Sequence, residues 1–197
     1  MSQLAMLVDG SRCIACKSCS VACMQENGLQ SNSWLRVRRR ELLTDHLVRY
    51  YNPQSCRHCA DPICLSVCPV GAIKRGDDGF VIHDVECCIG CQVCVTACSY
   101  SGIKIMTNGK VGKCSFCSHL LQQGKEPACV TVCPVDARVF GEREELIREA
   151  GLRMTNLASR GISVHLEGTE KELTNVLYLL NNTATQTIGD SKEEVKA

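Results

Sequence analysis

The apolar positions of this chain come in short runs separated by polar and turn-forming residues. They predict strands at Leu4–Val8, Trp34–Arg39, Leu47–Tyr51, Phe80–His83, Ile103–Met106 and Arg138–Phe140. Short helices are expected around Ser18–Glu26, Ile63–Cys68, Cys94–Cys98 and Ala128–Cys133, each following a cysteine-rich loop. Residues 34–51 read as a hairpin turning at Thr44–His46, and Glu142–Ala150 reads as a helix with Gly151 at its end. The longest apolar run near the C-terminus, Val176–Leu180, is far too short to span a bilayer. From Asn181 onward the chain is polar, and Asp190–Ala197 reads as a mobile tail. Short strands interleaved with short helices predict an α+β fold.

Composition changes the picture at one point. Only 8 of the 197 residues are Phe, Tyr or Trp, while 17 are cysteine, and that excess has to be explained first. The formal net charge of +1 argues against a nucleic-acid binder or a surface drawn to anionic lipid. Residues Met1–Val8 hold no basic run leading into an apolar stretch and no twin arginine, so no signal peptide of its own is expected. The expected location is cytoplasmic, unless the chain is exported on a partner that carries a signal. An odd cysteine count without a signal peptide speaks against a disulfide framework.

The cysteines fall into four groups. Cys13, Cys16, Cys19 and Cys23 read C-x2-C-x2-C-x3-C, and Cys88, Cys91, Cys94 and Cys98 repeat that spacing. Cys56, Cys59, Cys64 and Cys68 read C-x2-C-x4-C-x3-C before Pro69; Cys114, Cys117, Cys129 and Cys133 read C-x2-C-x11-C-x3-C before Pro134. Four groups of four thiolates match the ligand demand of four [4Fe–4S] clusters. A C-x2-C-x2-C loop curls around one cluster, and the fourth cysteine of such a run ligates the other cluster of a pair. Zinc is the alternative. Structural zinc sites favour two C-x2–4-C pairs separated by a longer loop, often with histidine, and only the fourth group approaches that. His58 and His119 lie beside ligands without being needed to complete a set.

Asp9 precedes Cys13 by four residues and Asp84 precedes Cys88 by four, so Cys88 is the ligand and Cys87 a buried spare thiol. Cys68-Pro69-Val70-Gly71-Ala72 matches Cys133-Pro134-Val135-Asp136-Ala137, which together with the shared frame of the first and third groups indicates an internal duplication. Nineteen residues separate Cys68 from Cys88, a connection suited to a compact unit pairing the second and third groups. The first group then pairs with the fourth. On this pairing Cys13, Cys16, Cys19 and Cys133 hold one cluster, and Cys23, Cys114, Cys117 and Cys129 its neighbour. Cys56, Cys59, Cys64 and Cys98 hold a third, and Cys68, Cys88, Cys91 and Cys94 the fourth. Pairing first with second and third with fourth remains open, with a 32-residue connection between Cys23 and Cys56. The expected organisation is a ferredoxin-like module of residues 1–52 and 105–141, a second module of 53–104 inserted into it, and a C-terminal extension of 142–197.

At this point the residues resemble a known family. Cys13-Ile14-Ala15-Cys16-Lys17-Ser18-Cys19 with Ala22-Cys23 and Glu26-Asn27, Cys56-Arg57-His58-Cys59-Ala60-Asp61-Pro62-Ile63-Cys64 leading to Cys68-Pro69, Cys88-Ile89-Gly90-Cys91, Lys113-Cys114-Ser115-Phe116-Cys117 with Pro127-Ala128-Cys129, and Arg138-Val139-Phe140-Gly141 together carry the likeness. They are similar to the four-cluster electron-transfer subunit of the dimethyl-sulfoxide-reductase type. The likeness covers roughly residues 4–141. It implies pairing of the first and fourth groups, a molybdenum or tungsten bis-pterin catalytic subunit as partner, and a membrane anchor or further redox subunit beyond it. With no ligand replaced, it implies four [4Fe–4S] clusters rather than a three-iron variant. Ala15 stands where glycine is common, and Ser101-Gly102 where Gly-Ala is more usual; Met24 and Ser99 also depart from the pattern. The same module serving a hydrogenase or formate-oxidising complex is a close alternative, and a zinc-dependent interaction module a distant one.

Arg36, Arg38, Arg39 and Arg40 read first as a solvated strand face with Val37 turned inward, and otherwise as a dock for an acidic partner. Lys17, Arg57 and Lys113 lie in or beside ligand loops, where a cation favours a reduced cluster; His58 is placed to donate to cluster sulfur. No Ser–His–Asp set, phosphate loop or dinucleotide fingerprint is visible, so no catalytic site beyond electron transfer is expected.

Overall fold

Four strands far apart in sequence meet in the central sheet. The computed structural model of the chain describes residues 3–30, 33–43, 47–169 and 173–182. In chain order the elements are β1 (Leu4–Asp9), α1 (Ser18–Glu26), β2 (Arg36–Leu43), β3 (Leu47–Gln54), α2 (Ile63–Ser66), β4 (Ile73–Arg75), β5 (Val81–His83) and α3 (Val93–Ala97). They continue with β6 (Ile103–Ile105), β7 (Val111–Lys113), α4 (Ser118–Leu121), α5 (Ala128–Thr131), β8 (Arg138–Glu142), α6 (Arg143–Ser159), β9 (Val164–Glu167) and β10 (Val176–Asn181). The turn expected at Thr44–His46 and the tail expected at Asp190–Ala197 lie outside the described residues.

The sheet order is β8-β1-β10-β9. β1 pairs antiparallel with β8, Val8 opposite Arg138, and parallel with β10, Met6 opposite Val176. Both central strands are buried on both faces, which explains their continuous apolar runs. Ala5, Leu7, Leu177 and Leu179 face Leu146, Ala150 and Leu157 of α6. Met6, Val8, Val176, Tyr178 and Leu180 face the other way, onto Leu35, Phe80 and Phe116. Val176–Leu180, met in the sequence only as a run too short for a membrane, is thus one of the two core strands.

The helix expected to stop at Gly151 runs on to Ser159. Leu146, Ala150, Met154 and Leu157 continue one apolar stripe against the sheet, and that packing outweighs the roughly 1 kcal/mol penalty of an internal glycine. The helix ends instead at Gly161, at φ +73°, with Ile162 N–H donating to Leu157 O and Gly161 N–H to Ala158 O. Arg143 at its start is buried and donates to Thr174 O (2.7 Å) and Gly168 O (2.6 Å), tying the approach to β10 onto α6.

Three two-stranded ribbons surround this layer: β2–β3, β4–β5 and β6–β7. Arg36 lies opposite Gln54 and Arg39 opposite Tyr51, so residues 36–54 form the expected hairpin. Val37 packs on the core while Arg36 and Arg39 face solvent, and Arg39 meets Glu41 at 3.4 Å. β4 and β7 are three-residue strands that the sequence pattern did not mark. The segment leading into β10 runs along the second cysteine loop: Ala60 N–H donates to Leu173 O (2.7 Å), Asn175 N–H to His58 O (3.2 Å) and Val176 N–H to Arg57 O (3.2 Å). The C-terminal strand therefore joins that loop to the main sheet.

Candidate iron–sulfur sites

All four C-x-x-C loops turn in the same way. The residue just before the second cysteine has a left-handed backbone in each: Ala15 (φ 56°), His58 (φ 49°), Gly90 (φ 71°) and Phe116 (φ 60°). A second repeat follows the last cysteine of three groups. The third residue beyond it is left-handed, Gly71 (61°), Ser101 (50°) or Asp136 (48°). The amide of the next residue then donates to the cysteine sulfur: Ala72 to Cys68 (3.3 Å), Gly102 to Cys98 (3.4 Å) and Ala137 to Cys133 (3.2 Å). The first group differs because α1 runs on past Cys23, and the Asn27 side chain takes the fourth position, 3.9 Å from Cys23 Sγ.

The Ser101-Gly102 departure has a local reason. A Cβ at position 102 would sit 2.7 Å from Cys56 Cα, so the chain passes Cys56 only with glycine there.

Aspartates deliver the first cysteines of the first and third groups. Asp9 Oδ1 accepts from Ser11 N–H (2.9 Å) and Ser11 O–H (2.6 Å), and Asp84 Oδ1 accepts from the amides of Glu86 (3.0 Å) and Cys87 (3.2 Å). Asp9 is fully buried and is held by Arg153 at 3.1 Å. Cys88 is buried, but Cys87 is exposed, contrary to the expectation of a buried thiol. The aspartate turn points Cys87 to solvent, where its Sγ–H donates to Asp84 Oδ2 at 3.2 Å.

The sixteen grouped thiols gather in four places. Cys13, Cys16, Cys19 and Cys133 line one cavity with Lys17, Val37 and Arg138. Cys23, Cys114, Cys117 and Cys129 line a second with Met6, Trp34, Leu35, Phe116, Val176 and again Arg138. Cys56, Cys59, Cys64 and Cys98 line a third with Arg57, Val81, Tyr100 and Ile103. Cys94 lies in the fields of Cys68, Cys91 and Cys88, among Ala72, Ile73, Ile103 and Val111. The gatherings adjoin one another. Cys19 and Cys129 interact across the first junction, Cys114 and Cys56 across the second, and Cys64, Cys98, Cys68 and Cys94 share one apolar cluster at the third.

The donor set is that of an iron–sulfur cluster. Burial, followed by the neighbouring thiols, pushes Cys64 up to about 11. Cys117 also rises to about 11 through burial, and burial with Cys56 and Cys129 drives Cys114 well above the ordinary thiol range. Such thiols become thiolates only with a strong positive partner, and metal supplies one. Thiols set apart around cavities suit a group that offers one metal atom to each sulfur. The buried N–H groups Trp34 Nε1, Arg138 Nε and Arg138 Nη2 have no partner among the described residues, and both residues line the second cavity. Unmet donors beside that cavity suit an anionic, sulfur-rich occupant.

The cations near the loops have different fates. Lys113 is buried, donates to Val81 O and to Cys114 O (2.7 Å), and its charge acts on both Cys64 and Cys114. Arg57 pairs with Glu167 at 2.5 Å and lies 4.3 Å from the ring centroids of both Tyr100 and Tyr178. His58 is fully buried, edge-on to Phe80 and Phe116, and burial with Lys113 and Arg75 holds it well below the ordinary histidine range. Its Nδ1 accepts from Val81 N–H at 3.1 Å, so its proton is on Nε2, which meets no partner among the described residues. His119 is paired at the surface with Glu26 at 2.8 Å. In the sequence Arg138 is marked only as part of a strand and of the run Arg138-Val139-Phe140-Gly141 that carries the family likeness. A lone charge in an apolar strand directly after the last cysteine was the signal available.

Two family models match the chain, each described as a 4Fe–4S dicluster domain, over residues 12–72 and 47–143. The fold and the cysteine sites therefore define a mixed α/β iron–sulfur protein built from ferredoxin-type [4Fe–4S] domains. The B subunit of anaerobic dimethyl sulfoxide reductase from Escherichia coli is 36% identical over 161 residues, covering 76% of this chain and 78% of the relative. The thiosulfate reductase electron transfer subunit of Salmonella typhi is 39% identical over 151 residues (73% and 78%). The B subunit of polysulfide reductase from Wolinella succinogenes is 38% identical over 146 residues (71% and 76%). The chain belongs to this family of iron–sulfur electron-transfer subunits of the dimethyl-sulfoxide-reductase type. No helix among the described residues is long and apolar enough to cross a membrane.

Proposed function

We propose that the chain relays electrons through four [4Fe–4S] clusters, between a molybdenum or tungsten pterin catalytic subunit and a membrane anchor or other redox subunit. The observation that carries this reading is the gathering of sixteen thiols into four sets, each completed by a cysteine from a distant group. Cys13, Cys16, Cys19 and Cys133 hold cluster 1, and Cys23, Cys114, Cys117 and Cys129 cluster 2. Cys56, Cys59, Cys64 and Cys98 hold cluster 3, and Cys68, Cys88, Cys91 and Cys94 cluster 4. Residues 1–52 and 105–141 make one ferredoxin-like module, with 53–104 inserted in it and the C-terminal strands completing its sheet.

Bound clusters supply one-electron oxidation and reduction, at potentials set by net charge, hydrogen bonds to sulfur and solvent exposure. The chain supplies the rest. The amides of Ala72, Gly102 and Ala137 donate to ligand sulfurs, and Phe116 N–H donates to Cys114 Sγ at 3.4 Å. Met6, Leu35, Phe116 and Val176 keep water from the second site. Cys16 and Cys91 are exposed and belong to the first and fourth sets, so the row of sites reaches the surface at both ends. Its two open ends suit a relay between two partners. The complex would be peripheral to a membrane through its partner.

Anaerobic affinity purification from the native source tests the partner. A large subunit carrying molybdenum or tungsten is expected to co-purify stoichiometrically. Recovery of a nickel–iron hydrogenase subunit in its place would shift the assignment to the alternative complex.

A further inference from the structure

Resting on the four-cluster reading, we infer that Arg138 is a fixed counter-ion shared by clusters 1 and 2, and that it holds both in a more readily reduced state than their ligands alone would give.

Arg138 is 3% exposed and stands at the start of β8, opposite Val8 of β1. Its side chain lines both the Cys13/Cys16/Cys19/Cys133 cavity and the Cys23/Cys114/Cys117/Cys129 cavity. Among the described residues no carboxylate pairs with it. Nη1 lies 3.3 Å from Met6 Sδ and 3.9 Å from Cys129 Sγ, while Nε and Nη2 have no partner among the described residues. A buried guanidinium without a carboxylate is unfavourable by several kcal/mol unless another anion compensates. The anions at hand are thiolates from both sets. Arginine also suits the position better than lysine, because its planar fork offers donors in two directions from one charge.

A cluster gains a negative charge on reduction, so a nearby permanent cation stabilises the reduced form more than the oxidised one. Lys113 acts on Cys114 of the second set and Cys64 of the third, whereas Arg138 lines the first and second cavities. Removing Arg138 therefore acts on clusters 1 and 2 selectively.

The test is a potentiometric titration followed by electron paramagnetic resonance on the intact protein, with wild type, R138Q and R138K compared. Signals are assigned to sites with Cys133→Ser for cluster 1 and Cys117→Ser for cluster 2. In R138Q the reduction equilibria of clusters 1 and 2 are expected to weaken at least tenfold, which is 59 mV for a one-electron couple. Clusters 3 and 4 are expected to hold their wild-type values, and R138K to restore most of the loss. Selective absence of clusters 1 and 2 in R138Q would equally support the shared counter-ion. Four unchanged potentials at full iron content, or uniform loss of all four clusters, would overturn it. Wild-type protein without iron would instead sink the cluster reading on which the proposal rests.

Discussion

Leu177→Ala and Leu179→Ala are each expected to destabilise the chain by about 2–5 kcal/mol. Both side chains are 0% exposed, and both pack with Ala5 and Leu7 against Leu146, Ala150 and Leu157 of α6. They sit in β10, which pairs with β1 on one side and β9 on the other, so the cavity left by truncation has little freedom to collapse. The strand's lead-in also carries hydrogen bonds to Arg57, His58 and Ala60 in the second cysteine loop. Loosening β10 is therefore expected to release iron from the third site before the others. Denaturant unfolding with parallel iron analysis checks both statements. A change within about 0.5 kcal/mol, the range of ordinary surface substitutions, would show that β10 is not part of the core.

Asp9→Ala carries the second large effect, about 1–3 kcal/mol, the usual consequence of leaving buried donors without their acceptor. The change leaves Arg153, whose side chain is 12% exposed, with Glu149 at 2.8 Å but without the carboxylate it meets at 3.1 Å. It also frees Ser11 N–H and the Ser11 hydroxyl, which close the turn into Cys13. Asp84, at the equivalent place before Cys88, lies at the surface, forms no ion pair among the described residues and feels only the charge of Lys74. Asp84→Ala is therefore expected to change stability far less than Asp9→Ala. Equal effects in thermal unfolding would mean that the turn, and not the buried pair, is what matters at Asp9.

Much of this molecule was legible in its sequence because cysteine spacing is a local signal. The C-x-x-C loops, the strands at Leu4 and Arg138, the 36–54 hairpin and the Ser18–Glu26 helix all depend on residues close together in the chain. What escaped depends on contacts across it. Val176–Leu180 is a run of five apolar residues whose meaning comes from parallel pairing with β1, some 170 positions earlier. Gly151 carries a stop signal that the apolar stripe of α6 overrides. Cys87 was given a buried place because free cysteines are usually buried, but the Asp84 turn faces it outward. Arg138 looked like one strand residue among several, and only the folded chain places it beside two thiol sets. The repeated left-handed positions also show why glycine is usual at two places where this chain departs from the family pattern. Ala15 and Ser101 occupy conformations that glycine adopts at least cost, and Gly102 is required by the close approach of Cys56.

Whether the sixteen grouped thiols hold four iron–sulfur clusters is tested most directly by metal analysis of anaerobically purified protein. The expected result is a brown protein with about sixteen irons per chain and no zinc. A colourless protein that binds zinc and no iron would contradict it.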